Sequence, residues 1–151
     1  MIKFRAWDKK NKAYLYDVQN ASDMFSDVKY ENGENADCDE ECFAGFLDDE
    51  RYDVEQFTGL KDINGKDIYE NDILRLSYEE PKTYIYKDEY DPKPKIIMPR
   101  TVAQKAQVTK DTGTFGVSVK GVFLTLREVD KGKQNIKVVG NVHTSPELKE
   151  E

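Results

Sequence analysis

Apolar and polar residues alternate along much of this chain, with a period of two rather than a helical repeat. Ile2, Phe4 and Ala6 alternate with Lys3, Arg5 and Trp7, which predicts a strand with a mostly polar second face. Asp8 to Asn11 supply a turn, and Ala13 to Val18 return as a strand bearing Tyr14, Leu15 and Tyr16. The strongest signal runs from Phe57 to Leu76. Asn64-Gly65 stands between apolar positions, Phe57 and Leu60 before it and Ile68 and Tyr69 after, and both turn residues tolerate positive φ. Asn71-Asp72 predicts a second corner: Asn enters the left-handed region at modest cost, and Asp72 can bond the backbone two residues on. Ile73 to Leu76 then begin a further strand, Ile73 and Arg75 on one face, Leu74 and Leu76 on the other.

The second half continues in the same style. Tyr84-Ile85-Tyr86 reads as a short strand within an excursion from Glu79 to Arg100, whose prolines at 81, 92, 94 and 99 forbid regular pairing over much of its length. Val102 to Val108 read as a strand, Gln107 to Lys110 alternate, Asp111-Thr112-Gly113 turn, and Phe115, Val117 and Val119 face away from Gly116, Ser118 and Lys120. Val122 to Val129 read as a strand or buried segment, Asp130 to Lys133 as a turn, and Ile136 to Val142 as a closing strand with a bulge at Gly140. Helix is expected at two places. Over 36–47, Cys38, Cys42 and Phe46 share a stripe; over 145–150, Ser145 caps, Pro146 starts the turn and Leu148 anchors it. Ser22 to Lys29 fit either state. The expected fold class is therefore mainly β, a β-rich α+β domain over 1–151. It would form a meander or partly open β-barrel of about seven to nine strands with one or two short helices.

Three blocks carry a family resemblance: IKFRAWDKKNK from Ile2, FTGLKDINGKDIYENDIL from Phe57 and VVGNVHTSPELKE from Val138. In order and spacing they resemble the YopX family of phage and prophage proteins. The resemblance implies a small, intracellular, β-rich protein without an established biochemical activity. Members commonly carry Gly before the Asp of the second corner, where this chain has Asn71. They usually have an aromatic where His143 stands, which weighs against a special role for that histidine.

Composition changes the picture in one respect. The chain has 151 residues and a formal charge of −7, which disfavours nucleic acid and anionic membranes as partners. Yet residues 82–137 hold twelve Lys/Arg and six Asp/Glu, a net of +6 that leaves −13 for the rest. Residues 31–55 hold eleven acidic side chains against one basic, Arg51. No apolar leader follows Met1 and no run could cross a bilayer, so the bacterial host cytoplasm is the expected location. Two cysteines are too few for a disulfide framework.

Catalytic, cofactor-binding and metal residues are all expected to be absent. His143 is the sole histidine, read as a surface residue, and a nucleophile would need a placed base. Cys38 and Cys42 supply two thiols where structural zinc takes four ligands. Asp37, Asp39, Glu40 and Glu41 lack the spacing of a calcium loop. Trp7 reads as packing across its hairpin. Lys61, Asp62, Lys66 and Asp67 could form a recognition tip, but nothing in the sequence favours that over a plain β-meander. The expected function is a non-enzymatic binding or assembly module that engages copies of itself or a host protein through edge strands and its Tyr/Lys arm. The alternative is single-stranded nucleic-acid binding through the basic 82–137 segment, where tyrosines would stack bases and lysines track phosphates.

Overall fold

The computed structural model describes residues 2–21, 28–34, 43–80, 82–98, 100–119, 121–131 and 135–146. The expected thiol pair Cys38 and Cys42, its neighbouring carboxylates, most of the 36–47 helix and nearly all of the closing helix lie outside these residues. The described part is a β-rich α+β fold with twelve strands, eight of them four residues or longer. Two short helices accompany them, α1 (Phe43–Asp48) and α2 (Leu126–Lys131).

The first sheet is assembled around β1 (Phe4–Asp8), which lies between β2 (Ala13–Tyr16) and β4 (Tyr52–Lys61), with β3 (Lys29–Tyr30) and β5 (Asp67–Tyr69) at the edges. Four of the five residues of β1 are buried, Arg5 and Trp7 included. The polar face expected for this strand is therefore covered, because Arg5 and Trp7 meet partners from elsewhere in the chain. On the opposite side Ala6, Leu15, Val18, Phe46 and Tyr52 form one core.

The second sheet has the order β11-β10-β9-β6-β12, built from β6 (Asp72–Glu79), β9 (Thr101–Asp111), β10 (Thr114–Val119), β11 (Val122–Thr125) and β12 (Asn135–Asn141). Leu74, Leu76, Val108, Val117 and Ile136 bury one face against Leu126 and Val129 of α2 and Ile68 of β5. The stretch expected over 122–129 as strand or buried segment is both: β11 first, then α2 with Leu126 and Val129 buried. Glu128 N–H donates to Thr125 Oγ1 (3.2 Å) and Thr125 N–H to Glu128 Oε2 (3.4 Å), a capping box that starts the helix after four strand residues.

Among the described residues all strand pairings are antiparallel and neither five-stranded sheet closes into a barrel. The chain departs from a simple meander at Asn71. With φ of 69°, this residue takes β6 away from β5 and into the second sheet. The opening strand then pairs with β4 and the closing strand with β6, so the two ends dock on either side of this central segment. Gly140 is the expected bulge, where the β6–β12 register shifts.

At the Asn64-Gly65 turn the two-residue geometry expected from the sequence is replaced by a wider loop, since the ladder closes at Lys61 opposite Asp67. Gly65 has φ of 80°. The buried Asp62 shapes the loop: its Oδ1 accepts from the amides of Asn64 and Lys66 (both 2.9 Å), and its Oδ2 accepts from Val138 N–H of β12 (3.0 Å). Ile63 N–H also donates to Ile136 O (2.9 Å), so the loop covers the outer edge of β12.

Between β6 and β9 the excursion folds into a ribbon of its own, β7 (Thr83–Ile85) paired with β8 (Lys95–Ile97). Its base is closed by Glu80 N–H donating to Arg100 O (3.0 Å) and by the exposed Arg100–Glu80 ion pair.

Candidate functional site

Charged residues converge at the junction of the two sheets. Register places Arg5 opposite both Tyr16 and Glu55, and the Asn71 corner brings Asp72 beneath the same guanidinium. Arg5 Nε donates to Glu55 Oε1 (2.8 Å) and Arg5 Nη2 to Asp72 Oδ1 (2.8 Å), with every side chain of the group at most 3% exposed. The guanidinium lies over the Tyr14 ring at 4.0 Å and near that of Tyr69 at 4.6 Å, an arrangement suited to the planar, weakly hydrated arginine cation.

Glu55 is the hub. Its Oε1 also accepts from Tyr14 OH (3.0 Å), and its Oε2 accepts from Asn71 Nδ2 (3.0 Å) and lies 2.8 Å from His143 Nε2. Four partners fill the four lone-pair sites a carboxylate offers. Burial would raise the Glu55 carboxyl, but the hydrogen bonds from His143, Asn71 and Arg5, with the charge of Arg5, hold it below its ordinary value. Asp72 goes the other way, because burial outweighs Arg5 and the Tyr69 amide (2.8 Å) and pushes its carboxyl up. Burial likewise pushes the Tyr14, Tyr16 and Tyr69 hydroxyls up.

Every polar atom of Asn71 is engaged. Its N–H donates to Val108 O (2.9 Å), its carbonyl accepts from Val142 N–H (3.1 Å), and its Oδ1 accepts from Gln107 Nε2 (3.0 Å). Asp72 meanwhile bonds backwards to Tyr69, rather than forwards as expected. His143 is not the surface residue expected from the sequence. Its side chain is 16% exposed, and its ring stacks on Trp7 with centroids 4.9 Å apart and planes 5° apart. Trp7 does pack across its hairpin, edge-on to its cross-strand partner Tyr14.

The candidate recognition tip divides. Asp62 is committed to its loop, and Asp67 pairs with Lys3 and Lys61, while the exposed Lys61 and Lys66 flank it. Arg5, Tyr16, Tyr69, Lys66 and Asp67 line a shallow cleft of about 220 Å³. A second open cleft of about 350 Å³ lies among Thr58, Leu60, Phe115 and Arg127. Sequence reasoning missed Arg5, Glu55 and Asp72 as a group. The available signals were an arginine within an apolar strand and a carboxylate in the middle of a ten-residue one.

The exposed arm is the other candidate. Tyr84, Ile85, Tyr86, Ile96, Ile97 and Met98 are each 45–66% exposed. Tyr84 faces Ile96 across the ribbon, and Thr83 faces Ile97.

Among the described residues, no helix is long and apolar enough to cross a membrane. No curated protein matches the chain. Among solved structures, the chain is similar to protein EF1440 from Enterococcus faecalis, with 24% identity, 99% of each chain covered and a TM-score of 0.56. It is also similar to protein yopX from Bacillus subtilis, with 15% identity, 98% of each chain covered and a TM-score of 0.47. The family model described as YopX protein matches residues 3–150, and the chain belongs to the YopX family.

Proposed function

We propose that this protein is a non-enzymatic assembly module of phage or prophage origin, acting in the host cytoplasm, and that the β7–β8 arm docks onto a second copy of the chain. The exposed arm carries the reading. A two-stranded ribbon is at best marginally stable in water, and this one presents apolar side chains on both faces with no third strand beside it among the described residues. A contiguous exposed apolar patch of this kind marks an interaction surface.

Charge favours a second copy as the occupant. The arm itself, residues 82–98, carries four lysines against Asp88, Glu89 and Asp91, a net of +1, while the rest of the same chain carries −8, so the body of a second copy attracts it rather than repels it. The buried charges support the same reading, since Glu55 has each lone pair occupied and is not available to take a proton from a substrate.

The test is light scattering across a concentration series, with the wild type beside a variant in which residues 82–98 are replaced by a short Gly-Ser turn. The Glu80–Arg100 closure remains in that variant to hold the loop base. The wild type is expected to be a dimer or larger and the variant a folded monomer. A wild type that stays monomeric at its highest soluble concentration, or a variant that assembles equally well, overturns the proposal.

A further inference from the structure

The arm ends in a tip that its own carboxylates hold in shape. Asp91 N–H donates to Asp88 O (3.2 Å), and Asp88 Oδ1 accepts from Tyr90 N–H (2.9 Å). The Asp91 carboxylate accepts from the amides of Lys87 (3.1 Å) and Lys93 (2.9 Å). Around this ordered loop Tyr90 is 83% exposed, against 42–57% for Tyr78, Tyr84 and Tyr86. An aromatic on a loop already held in shape loses little freedom on docking, which is the character of an interface anchor. Asp88, Glu89 and Asp91 flank it in sequence, so the tip is anionic although the arm as a whole is not.

A cleft that suits this tip lies at the far end of the second sheet. β9 runs for eleven residues, about 34 Å, from Thr101 beside the base of the arm to Asp111, whose turn leads into the cleft. The cleft, of about 350 Å³, has Leu60, Phe115 and Leu126 as its apolar lining, with the exposed Arg127 beside them. That volume is at the lower end of pockets that hold small ligands, room for one aromatic side chain. Arg127 makes no ion pair among the described residues, and Lys110 Nζ stands 5.6 Å from the centre of the Phe115 ring. Of the carboxylates nearby, Glu128 accepts from Thr125 N–H (3.4 Å), and Asp111 faces Thr114, one step out of line with Lys110 and Phe115. None of the cleft's described lining belongs to the arm of the same copy.

We propose that the Tyr90 ring of one copy inserts between Leu60, Phe115 and Leu126 of the next, with the acidic tip meeting Arg127 and Lys110. The inference rests on the reading that the arm docks onto a second copy, and it gives that contact a direction. Tip and cleft are different surfaces at opposite ends of one sheet, so the contact is head-to-tail. Copies joined in this way close into a ring or continue as a filament rather than stopping at a two-fold dimer.

The experiment is sedimentation velocity on the full chain, with two variants measured alone and mixed. Tyr90→Ser removes the anchor and keeps the cleft; Arg127→Glu reverses the charge beside the cleft and keeps the tip. Each alone is expected to be a monomer with the melting temperature of the wild type, because both positions are exposed. Mixed in equal amounts they have one intact tip and one intact cleft between them, and a 1:1 complex that grows no further is expected. If Arg127→Glu does not fold, Arg127→Ala, which places the best helix former there, should weaken association about tenfold. A wild type that assembles while the variants assemble equally well overturns the inference and leaves the arm as the docking element. Variants that stay monomeric when mixed also overturn it, and assign the contact to tip against tip. A wild type that is itself monomeric overturns the arm reading and this inference together.

Discussion

Replacing Arg5 by Met tests the junction most directly. The substitution keeps an unbranched apolar stem between Tyr14 and Tyr69 but removes the cation bonded to both Glu55 and Asp72 at 2.8 Å. Breaking a buried pair by deleting one partner typically costs ~3–5 kcal/mol, because the remaining charge is left uncompensated. Loss of the ring contacts adds about 1 kcal/mol. A total of about 4–6 kcal/mol is a large part of the ~5–15 kcal/mol that stabilises an ordinary domain. With a urea m-value of ~2 kcal/mol/M, the unfolding midpoint should fall by about 2–3 M. Adding Glu55→Gln and Asp72→Asn to Arg5→Met should recover much of the loss, as the stranded charges are then gone.

The pH response provides an independent check. In the wild type the depressed Glu55 contributes stability that is present above its unfolded value near 4.5 and lost as pH falls through the folded value. The raised Asp72 has the opposite slope, losing stability as pH rises through and above 3.8. In Arg5→Met both carboxyls are expected to be raised, so the variant should become more stable on going from pH 7 to 5. Equilibrium urea unfolding at the two pH values reads both effects. A midpoint shift equivalent to less than about 1 kcal/mol, or no recovery on acidification, would show that Arg5 does not balance these carboxylates in a buried site.

Other perturbations follow from the same geometry. Asp62→Ala removes the acceptor for the amides of Asn64, Lys66 and Val138, so ~2–4 kcal/mol should be lost in denaturant unfolding; faster hydrogen exchange at Val138 would locate the damage. The Asp62 carboxyl is also held low, by those three amides against burial, so its contribution should vanish as pH falls through that depressed value. At Asn71, with φ of 69°, Ala should cost more than Gly by ~1 kcal/mol, because both lose the side-chain bonds but only Ala keeps the left-handed strain; equal melting temperatures would contradict this. In an alkaline titration followed by tyrosine absorbance, Tyr14, Tyr16 and Tyr69 should remain protonated beyond 10 and ionise only as the protein unfolds. Stability should accordingly decline as pH rises above that value.

Local chemistry in the sequence was enough to place Asn71, Gly140 and both turns around Gly65 and Gly113, because each depends on the φ range of one or two residues. The docking of both chain ends against the central segment also follows from pattern, since strands at the two ends need partners. The capping box at Thr125 and Glu128 was equally local, but the run of apolar residues from Val122 concealed it. The charge cluster was not legible for a different reason. Arg5 meets Asp72 over 67 positions and Glu55 meets His143 over 88, and no window of alternation carries such pairings. Arg5 looked like the polar face of an amphipathic strand because its pattern is the same whether it faces water or a buried carboxylate. His143 reads as a surface residue because a lone histidine in a closing loop carries no sign of the Trp7 ring it stacks on.

These separations also explain why the junction and the surfaces can be altered independently. The ties between the sheets are non-local and saturated: Asp62 to Val138 across 76 positions, Arg5 to Asp72, and Glu55 to Asn71 and His143. Such contacts form only once both sheets exist, so they reward completion of the whole fold rather than any one hairpin. The arm is the reverse case, a ribbon paired with itself and closed at its base by Glu80 and Arg100. The buried charges of the junction are engaged with one another, while the exposed apolar groups of the arm stand outside both cores. Substitutions at the junction should therefore lower the melting temperature, and substitutions on the exposed arm should change self-association with the melting temperature intact.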